Sequence, residues 1–148
     1  MYKRTFHSFS AIGAPKHSAR FFAVSHRALV TTLDPSTPDP MDASYESIVV
    51  LKFATRWCKP CKSIGPPFSL LSEQYPSVSF YHVDLDHNSL FCKNFAVHTV
   101  PTLVVLRKGK IVFRITGSAL EGVKVAIDKL VKGEEKSLKC SGQSYSVF

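Results

Sequence analysis

Two cysteines separated by two residues constrain this chain more than any other feature. Cys58 and Cys61 lie in the run Trp57-Cys58-Lys59-Pro60-Cys61-Lys62. The β-branched and apolar residues of 48–54 come just before this run and predict a strand with apolar side chains on both faces. Apolar residues at helical spacing follow over 58–75 and predict a bent helix. The cysteine pair is therefore expected between a strand and a helix, at the helix N-terminus.

A helix N-terminus favours ionisation of a thiol. Unpaired backbone N–H groups and the positive end of the helix dipole favour the thiolate of Cys58, and Lys59 and Lys62 add positive charge. Pro60 fits the first turn because its missing N–H would have had no partner there. The pattern predicts a redox-active pair in which the Cys58 thiolate attacks a disulfide and the Cys61 thiol resolves the intermediate.

The same spacing also occurs in half of a structural zinc site, and a pair of purely structural cysteines is a further alternative. A zinc site needs two more ligands, but neither Cys92, Cys140 nor the histidines form a second Cys-x-x-Cys or a His-x₃₋₅-His pattern. The chain also has no Gly-rich phosphate-binding loop. We therefore expect no metal and no organic cofactor.

The segments after the motif alternate between strands and helices. The predicted elements are a strand at 78–85, a short helix near 88–95, a strand at 102–106, its hairpin partner at 110–116 and a helix from 120 to 131. Lys108-Gly109 is predicted to form the hairpin turn, and Ser118 with Glu121 to form a capping box. The alternation predicts an α/β fold, with a central mixed β-sheet flanked by helices on both faces.

Positive charge is concentrated at the N-terminus. The formal net charge is +8, but residues 1–33 hold five basic residues and no acid, while 34–148 hold 14 basic and 11 acidic residues. No basic stripe is interleaved with aromatic residues, so no nucleic-acid partner is expected. No apolar run approaches the roughly 18 residues of a spanning helix, so no stable membrane insertion is expected either.

Residues 1–33 are also rich in hydroxyl and phenylalanine side chains, a composition typical of a targeting leader. Arg20-Phe21-Phe22-Ala23 favours a mitochondrial transit peptide, with cleavage between Phe22 and Leu33. Chloroplast import is an alternative, as is a cytoplasmic protein with a basic arm. Three prolines predict a linker over 34–47, and residues 133–148 are expected to form a flexible tail, which leaves 48–132 as the domain.

Several residues beyond the motif resemble the thioredoxin family. In chain order they are Phe53, the run from Trp57 to Lys62, Pro66, Asp84 with Asp86, Val100-Pro101-Thr102, Gly109 and Gly117. The resemblance implies a thioredoxin-like fold in which Pro101 is a cis proline packed against the disulfide. It also implies a substrate groove formed by Trp57, Lys59, Pro60, Thr99, Val100, Pro101, Gly117 and Ser118.

By this resemblance the protein is expected to reduce protein disulfides through a mixed disulfide on Cys58, and to be reset by a disulfide reductase. A monomer is expected. One alternative is a binding module of a larger assembly, with the same fold but little turnover. Another is a net oxidase or isomerase.

The sequence departs from the family at three places. The family usually carries a buried acid six residues before the first cysteine, where this chain has Lys52. A buried Lys52 must reach solvent, pair with an acid or lose its proton, so it is either a neutral base or a snorkelling side chain without a catalytic part.

Lys59 replaces the usual glycine and is expected to make the protein more oxidising. Before Ile48 no complete first strand and helix are evident, although 28–33 is a candidate strand.

Overall fold

A central five-stranded sheet organises the structure, a computed structural model that describes residues 30–134 and residue 138. The elements are β1 (Val30–Thr32), α1 (Pro40–Glu46), β2 (Ile48–Ala54), α2 (Lys59–Ser63), α3 (Gly65–Gln74), β3 (Val78–Asp84), α4 (Ser89–Asn94), β4 (Thr102–Arg107), β5 (Lys110–Thr116) and α5 (Leu120–Val131). The strand order is β1-β3-β2-β4-β5. β3 runs parallel to β1 and β2, whereas β4 is antiparallel to β2 and β5. The predicted α/β fold with a mixed sheet is confirmed.

Each face of the sheet is covered by a separate apolar cluster. Alternate residues of β2 point to opposite faces, so that Val50 packs with Phe68 of α3 and Ile127 of α5, while Leu51 packs with Phe95 on the opposite face. Every residue of β2 is buried, as expected of a central strand. The Cys-x-x-Cys run follows this buried strand after three residues.

The segment predicted to be a linker contains a helix. The Asp39 carboxylate accepts a hydrogen bond from the Met41 N–H at 2.8 Å, and Pro40 occupies the first turn, where no donor is needed. The interpretation of 34–47 as a linker is therefore wrong for its second half. β1 lies within the candidate strand at 28–33, so the first strand and helix that the sequence left incomplete are both present.

The helix predicted over 58–75 is divided into α2 and α3 at Ile64. Pro66 and Pro67 have no N–H to donate to the carbonyls four residues earlier, which interrupts the helical ladder. The capping box predicted for the last helix is wrong. The N-cap residue is Ala119, and since Ser118 precedes that position no side chain caps α5.

The hairpin turn is confirmed at Lys108-Gly109, where φ is +52° and +70°. No helix in residues 30–134 is long and apolar enough to cross a bilayer. The predicted leader up to residue 29, Cys140 and most of the predicted tail lie outside the described residues. Of the tail, Leu138 packs against the apolar cluster between the sheet and helices α3 and α5.

Candidate active site

The two motif cysteines form a disulfide at the start of α2. Cys58 is the N-cap residue, and its Sγ accepts a hydrogen bond from the Cys61 backbone N–H at 3.2 Å. Their Cα atoms are 5.2 Å apart. Cys58 is half-buried, whereas Cys61 is only 4% exposed. Cys58 is thus the more accessible residue of the pair and Cys61 the more shielded one.

The Val100–Pro101 peptide bond is cis, as the family resemblance implies. Thr102 pairs with Phe53 on β2, so β4 begins at the same edge of the sheet at which β2 ends. Two hydrogen bonds fix the segment. Gly117 N–H donates to the Pro101 carbonyl at 2.8 Å, and Thr102 Oγ1 donates to the Thr99 carbonyl at 2.6 Å. This edge therefore carries both the cis proline and the strand end that leads into the cysteines.

The predicted groove residues differ in their exposure. Trp57 is 85% exposed, and Lys59, Pro60 and Thr99 are also on the surface. Val100 and Gly117 are partly buried, and Pro101 is buried. Gly117 adopts φ +98°, a conformation that favours glycine, and no heavy atom lies within 4 Å of the place its Cβ would occupy. The surface around the motif thus combines a large exposed aromatic ring with accessible backbone.

Lys52 is buried, with 8% exposure, on the face of β2 that α3 covers. Its Nζ lies 5.1 Å from the centroid of the Phe68 ring. No acidic side chain among residues 30–134 forms an ion pair with it. Burial lowers the pKa of Lys52 because the ammonium is poorly solvated there.

His82 is a neighbour of Lys52 that the sequence did not single out. The two residues are register partners on β3 and β2, so their side chains share one face of the sheet. Burial, and then the charge of Lys52, lower the pKa of His82, and Asp84 offsets part of this effect. The buried Nδ1 of His82 has no hydrogen-bond partner among the described residues. Only the strand register reveals this pair of basic groups.

The third cysteine within the described region belongs to the core. Cys92 is 5% exposed and packs with Phe53 and Phe95 in one cluster. Burial, and then the charge of Asp84, raise the pKa of Cys92 to about 11, so the thiol is protonated at neutral pH. The expectation that Cys92 is a small core residue is confirmed.

A mixed sheet between two helical layers, with a Cys-x-x-Cys disulfide at a helix N-terminus and a cis proline at the same sheet edge, defines the class of thioredoxin-fold proteins with a dithiol centre. A family model described as Thioredoxin matches residues 40–129, which begin at α1. The chain belongs to the thioredoxin family.

Individual relatives agree with this assignment. Thioredoxin F1, chloroplastic, of Arabidopsis thaliana is 37% identical over 101 residues, which cover 67% of this chain and 57% of that protein. Thioredoxin of Homo sapiens is 36% identical over 93 residues, which cover 63% of this chain and 89% of that protein. The match to the Arabidopsis protein thus spans only a little over half of that relative.

One solved structure is similar to this chain over nearly all of its own length. It is the crystal structure of ferredoxin:thioredoxin reductase and thioredoxin f2 complex, in which the matched chain is 33% identical with a TM-score of 0.64. The match covers 72% of this chain and 98% of that chain. The similarity thus extends well beyond the cysteine motif.

Proposed function

We propose that this protein is a thiol–disulfide oxidoreductase that reduces disulfides in other proteins. The observation that carries the proposal is the disulfide between half-buried Cys58 and buried Cys61 at the N-terminus of α2. Family membership supports the same activity. The alternative of a binding module with little turnover is not favoured, because both cysteines are present and bonded to each other.

In the reduced protein the Cys58 thiolate attacks one sulfur of a substrate disulfide. The substrate S–S bond breaks, a mixed disulfide forms on Cys58 and one substrate thiolate leaves. Cys61 then loses its proton and attacks the Cys58 sulfur, which releases the second substrate thiolate. The substrate gains two electrons and the protein is left with the Cys58–Cys61 disulfide.

The central test is reduction of insulin by the full chain with dithiothreitol as the donor. Catalysis is expected to disappear in Cys58→Ser and Cys61→Ser, and Cys61→Ser is expected to accumulate the mixed disulfide. Cys92→Ser is the matched control and should retain the activity, because Cys92 lies in the core. Wild-type protein that adds nothing to the rate of dithiothreitol alone would overturn the proposal in favour of the binding module.

The groove carries the recognition of substrates in this proposal. Trp57, Lys59 and Pro60 supply one wall, next to Cys58. The opposite wall consists of Thr99, Val100, Pro101 and Gly117. The exposure of the Trp57 side chain and the partial exposure of Val100 and Gly117 support binding of an extended substrate segment. Such a segment would need no bound cofactor, so the activity is expected to survive extensive dialysis against a chelator.

We propose Lys52 as the group that exchanges a proton with the resolving thiol. Its burial, its lowered pKa and the lack of an acidic partner among residues 30–134 make its ammonium easier to deprotonate than that of an exposed lysine, and the resulting amine is a proton acceptor. Lys52→Met keeps the apolar stem and removes the base. The variant is expected to release substrate from the mixed disulfide more slowly, and an unchanged rate would leave Lys52 with a packing role only.

The electron donor is proposed to be a disulfide reductase. A relative of similar fold, thioredoxin f2, has been crystallised in a complex with ferredoxin:thioredoxin reductase, which supports this class of donor. The direction of net electron flow follows from the redox potential. A potential far above that of the reductase would instead favour the oxidase alternative.

The basic composition of residues 1–33 supports a role as an organelle-targeting leader. Arg20-Phe21-Phe22-Ala23 supports mitochondrial import, while the chloroplast relatives support the plastid alternative. Because β1 begins at Val30, cleavage between Phe22 and Leu29 would leave the sheet intact. Import of the labelled chain into isolated mitochondria and chloroplasts distinguishes the two destinations, and exclusion from both would favour the cytoplasm.

A further inference from the structure

The segment that leads to the cis proline begins with a left-handed turn at Ala96. α4 ends at Asn94, and the next residues close it with two backbone hydrogen bonds: Ala96 N–H donates to Lys93 O at 3.0 Å and Val97 N–H to Cys92 O at 3.4 Å. This pair of bonds is the Schellman motif, in which the left-handed position is usually glycine. Here Ala96 adopts φ +46°, which an L-residue with a Cβ disfavours.

Arg114 reaches this turn from a different part of the chain. It lies on β5 opposite Val104, on the sheet face that α4 covers. Its guanidinium donates from one terminal nitrogen to the Ala96 carbonyl at 3.3 Å and from the other to the Phe95 carbonyl. A cation at the carbonyl end of a helix is electrostatically favourable, and the planar fork of arginine can satisfy two carbonyls at once.

The turn is the first of three points that hold the segment from Ala96 to Pro101. The other two are the bonds from Thr102 Oγ1 to the Thr99 carbonyl and from Gly117 N–H to the Pro101 carbonyl. Both lie at the far end of the segment. The contacts of Arg114 therefore set the position at which the segment leaves α4 and hence the course of Val97 to Val100.

We infer that Arg114 is a positioning residue for protein substrates, because it anchors through Phe95 and Ala96 the segment that forms one wall of the groove. The inference rests on the proposed function. Arg114 acts on the groove wall and not on the cysteines, so a large substrate that lies along the wall should depend on it. A small disulfide that meets only Cys58 should not.

The kinetic test compares insulin with 5,5′-dithiobis(2-nitrobenzoic acid) as substrates of the full chain. Arg114→Gln is expected to raise the KM for insulin about tenfold, the scale of a lost charged hydrogen bond, with kcat and the rate on the small disulfide unchanged. Arg114→Lys keeps the charge without the fork, so a smaller rise in KM is expected. Lys110→Gln removes an exposed charge from the same strand and should leave both substrates unaffected.

An unchanged KM of Arg114→Gln for insulin would overturn the inference. So would an equal loss of rate on insulin and on the small disulfide. If Arg114→Gln does not fold, the same kinetic criteria are applied to Arg114→Lys.

Hydrogen exchange gives a readout that needs no activity. The amides of residues 96–100 should exchange faster in Arg114→Gln while those of β4 remain protected, and unchanged exchange at 96–100 would also overturn it. Wild-type protein that reduces neither disulfide would contradict the proposed function. The hydrogen-exchange result would still decide whether Arg114 holds the segment from Ala96 to Pro101.

Discussion

At the scale of single residues, the two cysteines differ because of their positions on α2. Cys58 is the N-cap residue of α2, outside the helical turn, and is half-buried. Cys61 lies three residues later, inside the turn, and faces the interior. One short helix thus gives two chemically identical side chains different exposure, which the proposed dithiol mechanism would use.

The half-buried imidazole of His82 predicts a pH-dependent stability. The pKa of His82 is lowered in the folded state, so below about pH 6.5 the unfolded chain binds the proton more readily than the folded chain. The free energy of unfolding should therefore fall as the pH drops from 7.5 to 5.5. His82→Gln should reduce that fall, which urea unfolding at the two pH values would measure.

His98→Gln is the matched control for His82, because it removes an exposed imidazole. It should leave the pH dependence of the wild-type protein in place. Equal pH dependence in wild type and His82→Gln would mean that the burial of His82 does not affect stability in this range.

At the scale of elements, α1 is tied to the turn between β4 and β5 by one buried serine. Ser44 Oγ donates to the Met41 carbonyl at 2.6 Å and accepts from Gly109 N–H at 2.8 Å. The Ser44 carbonyl also accepts from Lys108 N–H at 2.7 Å. The side chain of Tyr45 covers Gly109 so closely that a Cβ there would overlap its ring. α1 is therefore an integral part of the domain.

Ser44→Ala should lower the free energy of unfolding by about 1–3 kcal/mol, because the partly buried Gly109 N–H loses its hydrogen-bond partner. Chemical denaturation measures this change. Ser69→Ala is a suitable control, since Ser69 is exposed and its hydroxyl donates to the Gly65 carbonyl of its own helix. Equal effects of the two substitutions would contradict the assigned role of Ser44.

At the scale of the whole molecule, the short strand β1 completes the sheet. It pairs with β3 from Val30 opposite Phe80 to Thr32 opposite His82, and Leu33 N–H continues the ladder to the His82 carbonyl at 2.8 Å. Leu33 is buried against the cluster that α1 and α4 cover. β1 thereby protects an edge of β3 that would otherwise expose unpaired backbone groups.

This arrangement predicts where the N-terminus tolerates truncation. A chain of residues 30–148 keeps β1 and its pairing with β3. A chain of residues 34–148 should lose at least about 2 kcal/mol, because it lacks the pairing of β1 and the buried Leu33 side chain. Calorimetry of the three proteins tests this, and equal stability of the two truncated chains would show that β1 contributes little.

Local patterns in the sequence were sufficient to predict the cysteine pair, the alternation of strands and helices, and the turn at Lys108-Gly109. These features depend on the spacing of apolar residues and on backbone preferences within a few positions, so they can be read along the chain. α1 escaped prediction because three prolines indicated a linker, although a proline in the first helical turn is compatible with a helix.

Only the tertiary structure decided which distant residues meet. The strand register places His82 beside Lys52, and the pairing of β4 with β5 brings Arg114 to the turn at Ala96. Such contacts depend on how strands pair across the sheet, and a shift of one residue would turn every side chain to the opposite face. The sequence by itself thus determined the reactive pair and its elements, whereas the surroundings of that pair follow from long-range packing.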